Sequence, residues 1–118
     1  MEDRIQKAVE LFKSGYNCSQ SVVAAFADMY GFTQEQALRM GASFGGGIGR
    51  MRETCGAACG MFLVAGLETG ATEATDREGK AANYAVVQEL AAEFKKRNGS
   101  LICGGLLGLK KKEPGSTI

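Results

Sequence analysis

Apolar residues recur three and four positions apart along almost the whole chain, and each run is bracketed by a residue that starts a helix and one that stops it. No stretch shows the strict alternation of a half-buried strand, and no internal repeat is present. The spacing therefore predicts an all-α fold. Ile5, Ala8, Val9, Leu11 and Phe12 define a first helix stopped by Gly15. Asn17, with Gln20 three residues on, forms a variant capping box for a second helix reaching about Tyr30 before Gly31. Thr33 and Gln36 repeat that logic for a third helix carrying Ala37, Leu38 and Met40.

The second half continues the pattern after a break. Residues 43–50, Ser-Phe-Gly-Gly-Gly-Ile-Gly-Arg, are too rich in glycine to hold a helix and read as a loop. Thr54 is the expected cap of a helix from Cys55 to about Leu67, with small residues on one side and Met61, Phe62, Leu63 and Val64 on the other. It carries no charge until Glu68, as a buried central helix would. Asp76 caps a long amphipathic helix in which Ala82, Ala85, Val86, Leu90 and Phe94 are expected to face inward and Lys95, Lys96 and Arg97 to suit the negative C-terminal end. Gly99 ends it, and Ser100 is the expected cap of a short last helix with Cys103 at its third position, followed by Leu106 and Leu107. The expectation is a compact bundle of five or six helices around a buried central helix starting at Cys55. Residues 1–118 read as one helical domain with a short flexible tail from about 110.

A chain of 118 residues buries roughly 65% of its unfolded surface and does not need disulfides merely to stay folded. Its four cysteines, in the absence of any histidine, are thus better explained by reactivity or metal binding than by scaffolding. The opening Met-Glu-Asp-Arg-Ile has no basic segment leading into an apolar stretch, and no segment approaches the roughly 20 apolar residues of a membrane span. A cytoplasmic, reducing setting is expected, where cysteine clusters serve catalysis, redox sensing or metal binding. With 14 basic against 13 acidic residues, nucleic acid is not expected as a partner. The run Lys110 to Lys112 reads as a solvated tail.

Cys18, Cys55 and Cys103 each fall within one turn of an expected helix start, where unpaired N–H groups and the positive end of the helix dipole favour a thiolate. Cys59 lies one turn deeper, among apolar neighbours that favour the neutral thiol or simple packing. Residues four apart on a helix hold their Cβ atoms about 5–6 Å apart, whereas a disulfide wants about 3.5–4.5 Å. Cys55 and Cys59 should therefore not bridge, and the partner of Cys55 should be Cys18 or Cys103. The same four thiols, Cys18, Cys55, Cys59 and Cys103, can also be read as ligands for zinc or an iron–sulfur cluster, although C-x-x-C knuckles are absent.

The glycine loop does not read as a nucleotide site. It lacks the third glycine of the dinucleotide fingerprint, no strand is expected before it, and no Gly-Lys-Ser/Thr phosphate loop occurs anywhere. Its glycines allow a tight turn close to the Cys55 helix. A second reading makes it a backbone collar over a thiol, with Arg50 and Arg52 supplying positive charge to a thiolate or an anionic substrate.

The elements Gly15-Tyr16-Asn17-Cys18-Ser19-Gln20, Phe44-Gly45-Gly46-Gly47-Ile48, Cys55-Gly56-Ala57-Ala58-Cys59-Gly60 and Gly99-Ser100-Leu101-Ile102-Cys103 together resemble the C_GCAxxG_C_C family of “putative redox-active” proteins, in the same order and across almost the whole chain. By motif position the resemblance implies that Cys18, Cys55 and Cys103 are family cysteines and that Gly56, Ala57 and Gly60 belong to the C-G-A-x-x-G signature, with Cys59 on a variable position. It further implies a redox partner and an association with transporters. The family commonly has one more cysteine beyond Cys103, which this sequence lacks, leaving Cys59 as the thiol that can take over its role.

Three functions are compatible with these residues. The first is a thiol-redox protein, an oxidoreductase if it turns over, with Cys55 attacking and Cys18 or Cys103 resolving. The second is a cysteine-ligated zinc or iron–sulfur module. The third is a structural or adaptor bundle, with the helix from Asp76 to Arg97 and the leucine-rich end after Cys103 offering a homodimer face.

Overall fold

The computed structural model describes residues 2–106 as an all-α bundle. Six α-helices run in the order α1 (Glu2–Lys13), α2 (Cys18–Phe26), α3 (Gln34–Gly41), α4 (Gly56–Thr69), α5 (Arg77–Asn98) and α6 (Cys103–Leu106), with short 3-10 turns at Ala27–Tyr30 and Ala42–Phe44. Among the described residues there is no strand, and no helix is long and apolar enough to cross a membrane. Leu107, the run Lys110 to Lys112 and the expected tail lie outside the described residues.

Helix starts follow the expected capping chemistry where that chemistry is local. Asn17 Oδ1 accepts from Gln20 N at 2.8 Å while Asn17 N donates to Gln20 Oε1 at 3.1 Å, and Thr33 and Gln36 make the same reciprocal pair. Asp76 Oδ1 accepts from Gly79 N at 2.8 Å, and Gly99 closes α5 in the left-handed conformation at φ +88°. Two starts differ from expectation. Cys55 itself is the N-cap of α4, because the Thr54 backbone is engaged in an isolated antiparallel bridge with Ile102. Cys103 is the first residue of α6 rather than its third, since the Ser100 hydroxyl accepts from Ile102 N at 3.0 Å and so forms a turn before the helix begins.

The core is built on α2, which packs against α1, α3 and α4. Val23, Ala24, Ala27 and Ala37 are buried at its centre, flanked by the half-buried Leu11, Phe32, Leu38, Met40 and Leu63. Small residues let the helices approach closely: a Cβ on Gly60 would lie 2.9 Å from Val22 Cβ, and one on Gly41 would lie 2.8 Å from Gln20 N. The Cys55 helix shares the centre with α2, and buries Gly56, Ala58, Cys59, Gly60 and Ala65. Met61, Phe62, Leu63 and Val64 are only half-buried.

Helix α5 packs chiefly on α4, pinned by a bond from Asn83 Nδ2 to Thr69 Oγ1 at 2.9 Å. One helical neighbour covers a narrow strip. Val86, Leu90 and Phe94 are half-buried there as expected, but Ala82 and Ala85 are exposed, because these short side chains beside the strip are covered by no second helix among the described residues.

Candidate functional site: thiols at converging helix starts

Cys18 stands at the first position of α2, and four side-chain and backbone contacts fix where that start lies. Besides capping α2, Asn17 donates from Nδ2 to Ala42 O at 3.1 Å, and Gln20 donates from Nε2 to Leu38 O at 3.1 Å. The capping pair thus also holds the end of α3 and the turn that follows. Gly45 passes so close that a Cβ there would meet Asn17 Nδ2 at 2.6 Å.

Cys55 and Cys103 are brought together by a two-residue stretch of extended pairing. Cys55 N donates to Leu101 O at 2.7 Å, Cys103 N donates to Glu53 O at 2.6 Å, and Gly104 N donates to Arg52 O at 3.3 Å. These backbone bonds place the starts of α4 and α6 side by side. Helix α4 meets α2 at Gly56, where a Cβ would lie 3.5 Å from Cys18 Cβ and 2.8 Å from Phe44 O. The chain next to Cys55 therefore rests against Cys18, and glycine makes the approach feasible.

The glycine segment is an ordered left-handed turn. Five consecutive residues, Gly46, Gly47, Ile48, Gly49 and Arg50, have φ of 64°, 77°, 64°, 57° and 62°, and Arg52 follows at 62°. For an L-residue the left-handed conformation costs roughly 1–2 kcal/mol, and a β-branched side chain such as Ile48 tolerates it least. Backbone bonds from Gly49 N to Ser43 O (2.8 Å), Arg50 N to Gly45 O (3.0 Å) and Glu53 N to Gly47 O (2.9 Å) hold it in place. The turn lies directly on α6: a Cβ on Gly47 would sit 2.6 Å from Cys103 Cβ.

This geometry separates the two arginines. Arg52 is 3% exposed, and its Nη1 donates to Gly46 O at 3.3 Å and to Cys103 Sγ at 3.6 Å. The sequence placed a cation near the thiols; it did not show that this cation is buried or that its sulfur partner comes from 51 positions away. Arg50 is exposed, and borders a cavity of about 530 Å³ with Cys18, Tyr16 and Asn17.

Electrostatically the thiols are not independent. Burial pushes the Cys18 thiol up, and the nearby Cys55 and then Cys103 push it further in the same direction. Burial also pushes Cys59 up, with Cys55 adding to it, as expected of a thiol one turn inside α4. The Cys59 sulfur points back along its helix and donates to Thr54 O at 3.8 Å. Thus Cys18 lies within electrostatic reach of both Cys55 and Cys103, while Cys59 lies within reach of Cys55. All four are free thiols. Among the described residues no group of three or more Cys, His, Asp or Glu is arranged to hold a metal ion.

Cys18 borders two cavities: besides the 530 Å³ space it lines an apolar one of about 270 Å³ with Val9, Phe12 and Val22. Cys103 is 3% exposed beneath Gly47.

Residues 16–117 match the model of a family described as “Putative redox-active protein (C_GCAxxG_C_C)”. No curated protein and no solved structure matches the chain.

Proposed function

We propose, from the premise that this chain belongs to the C_GCAxxG_C_C family, that it is a dithiol–disulfide exchange protein whose working couple is Cys18 and Cys55. The observation that carries this reading is the contact of the Gly56 backbone with Cys18, which sets two helix starts with free thiols against each other. The family description supplies redox activity in general terms, and the couple is our assignment.

The chemistry starts from the thiol that lies beside the larger cavity. In the oxidised protein an incoming thiolate RS⁻ attacks Cys18 Sγ: both thiols of the couple are half-buried, and Cys18 is the one placed on the 530 Å³ cavity that can hold the incoming molecule. The Cys18–Cys55 bond breaks, and Cys55 departs as the thiolate. A second RS⁻ attacks the substrate sulfur of the mixed disulfide, forms RSSR and expels Cys18, which takes up a proton. The net change is protein disulfide plus 2 RSH giving protein dithiol plus RSSR, a two-electron transfer that runs in reverse when RSSR is in excess. Burial and the neighbouring sulfurs favour the neutral form of reduced Cys18, so this thiol holds its proton once the cycle ends. In the reverse direction Cys55 attacks the mixed disulfide on Cys18. This reading exchanges the roles expected from the sequence: Cys18 meets the substrate sulfur, and Cys55 resolves the mixed disulfide. Cys103, held by Arg52, is the third thiol of the cluster.

The test is disulfide mapping by mass spectrometry after oxidation with a small disulfide, on the full-length protein and on Cys18→Ser, Cys55→Ser and Cys103→Ser. A Cys18–Cys55 bond, lost with exchange activity in the first two variants and kept in the third, is expected. A Cys18–Cys103 bond would move the couple. Stoichiometric zinc or iron in anaerobically purified protein, lost in all three variants, would replace exchange with metal binding.

A further inference from the structure

The cavity of about 530 Å³ beside Cys18 falls in the roughly 300–1,000 Å³ range of small-molecule sites. It is bounded by α1, the start of α2 and the left-handed turn. Phe12 and Tyr16 give it an apolar wall, the backbones of Gly45, Gly46 and Gly49 close one side, and Cys18 supplies a sulfur. Among the described residues Arg50 is the only charged residue lining it, and no acidic side chain faces it. The Arg50 backbone is fixed by its bond to Gly45 O at 3.0 Å, whereas its exposed side chain makes no hydrogen bond or ion pair with the described residues. A guanidinium with open donors at the rim of a space that contains a thiol suits a ligand carrying a carboxylate, which it can receive through two parallel N–H donors.

We propose that this cavity is the binding site for a low-molecular-weight thiol bearing a carboxylate, or its disulfide, with the ligand sulfur at Cys18 and the carboxylate at Arg50. The inference rests on the exchange reading for its chemistry and names the class of RSH: small, anionic and thiol-bearing. The bond formed is the mixed disulfide between Cys18 Sγ and the ligand sulfur, and the bond broken is the Cys18–Cys55 disulfide. Electrons pass from ligand thiol to protein disulfide. Phe12 and Tyr16 cover the aliphatic part of the ligand, while Arg50 distinguishes an acidic ligand from a neutral or cationic one.

Alkylation separates the anion site from the exchange reaction, because it needs no redox step. The rates at which iodoacetate and iodoacetamide modify Cys18 in the reduced protein are measured by mass spectrometry for wild type, Arg50→Gln and Arg50→Lys. One charge-assisted contact at a partly exposed site predicts an iodoacetate-to-iodoacetamide ratio about tenfold lower in Arg50→Gln than in wild type. Arg50→Lys, which keeps the charge, retains most of the preference, and added salt narrows it. In parallel, oxidation of the protein by glutathione disulfide is compared with oxidation by neutral 2-hydroxyethyl disulfide and cationic cystamine, with glutathione disulfide expected to be fastest. An unchanged alkylation ratio in Arg50→Gln overturns the anion site even if all three disulfides react. An Arg50-dependent ratio with no oxidation by any of them keeps the anion site and overturns thiol exchange. Oxidation by an acidic cysteine-containing peptide disulfide, but not by glutathione disulfide, overturns the assignment to a small molecule.

Discussion

Substitution of Gly47 by alanine tests whether the left-handed turn is built around Cys103. Two costs act at this position. The backbone sits at φ +77°, where an L-residue loses roughly 1–2 kcal/mol. The added Cβ would also lie 2.6 Å from Cys103 Cβ, 2.8 Å from Arg52 Cα and 2.8 Å from Glu53 N, so backbone and not merely a flexible side-chain tip has to move. Overpacking of this kind costs about 1–3 kcal/mol, against which the stiffer unfolded chain returns about 0.4–1 kcal/mol. The net expectation for Gly47→Ala is about 2–4 kcal/mol.

Gly49→Ala is the internal control. Gly49 has the same sign of φ at +57°, but its added Cβ would meet only Ser43 O at 3.9 Å. The conformational cost remains and the overpacking does not, so about 1 kcal/mol or less is expected. Urea denaturation under reducing conditions, followed by far-UV circular dichroism, measures both. The Gly47 variant should in addition label faster at Cys103 with iodoacetamide, because the lid over that sulfur is displaced. Equal stability losses in the two variants, or a Cys103 no more reactive in Gly47→Ala, would refute the close approach of the turn to α6.

Other substitutions and conditions give expectations of their own. Cys59→Ala should destabilise the fold by about 1 kcal/mol, through a small cavity and the lost contact with Thr54 O, and leave disulfide exchange intact; loss of exchange would place Cys59 in the reacting couple. Asn17→Ala removes the α2 cap together with the bond to Ala42 O, and should cost about 1–2 kcal/mol in urea denaturation. A cost near zero would show that Asn17 does not tie α2 to the turn after α3. The reduced protein should lose stability as the pH rises above about 8.5, the ordinary thiol value. Cys18 and Cys59 bind protons more tightly folded than unfolded, so their contribution is complete below the unfolded value and is lost as the pH passes through their raised folded values. The urea midpoint should fall between pH 7.5 and 9.5 in wild type and fall less in a Cys18→Ala/Cys59→Ala variant; a rise in wild type would contradict the direction of both shifts.

Much of the fold was legible because the signals that set helix boundaries lie within one turn of them. Asn17 and Gln20, and Thr33 and Gln36, satisfy each other over three residues, and Asp76 accepts from Gly79 N over the same span, so these caps suffice to locate the starts. The two misplaced starts meet at one contact, beside which the Ser100 hydroxyl also holds Ile102 N. The segment at Thr54 pairs with that at Ile102, 48 positions away, and this pairing moves the start of α4 past Thr54 and, with the Ser100 turn, delays α6 to Cys103. The exposure of Ala82 and Ala85 is likewise a property of the assembly, since the stripe on α5 is apolar whether one neighbour covers it or two.

The candidate site was legible as a set of residue types and illegible as a set of partners. Thiols near helix starts could be counted along the chain, and Cys59 could be set apart by its depth in α4. Which sulfur lies on the larger cavity and which meets an arginine depends on the direction in which each start points. Here those directions are fixed by contacts that remove side chains: Gly45 at Asn17, Gly56 at Cys18 and Gly47 at Cys103. A glycine in a sequence announces freedom of φ, whereas these three matter for the neighbour that occupies the space a Cβ would fill. The same contacts explain why Arg50 and Arg52, two residues apart and both at φ +62°, end in different surroundings. Arg52 turns under the collar to the buried Cys103, and Arg50 stays on its rim beside the cavity that Cys18 borders. One arginine therefore holds a sulfur of the chain itself, and the other is left with its donors open to whatever enters that cavity.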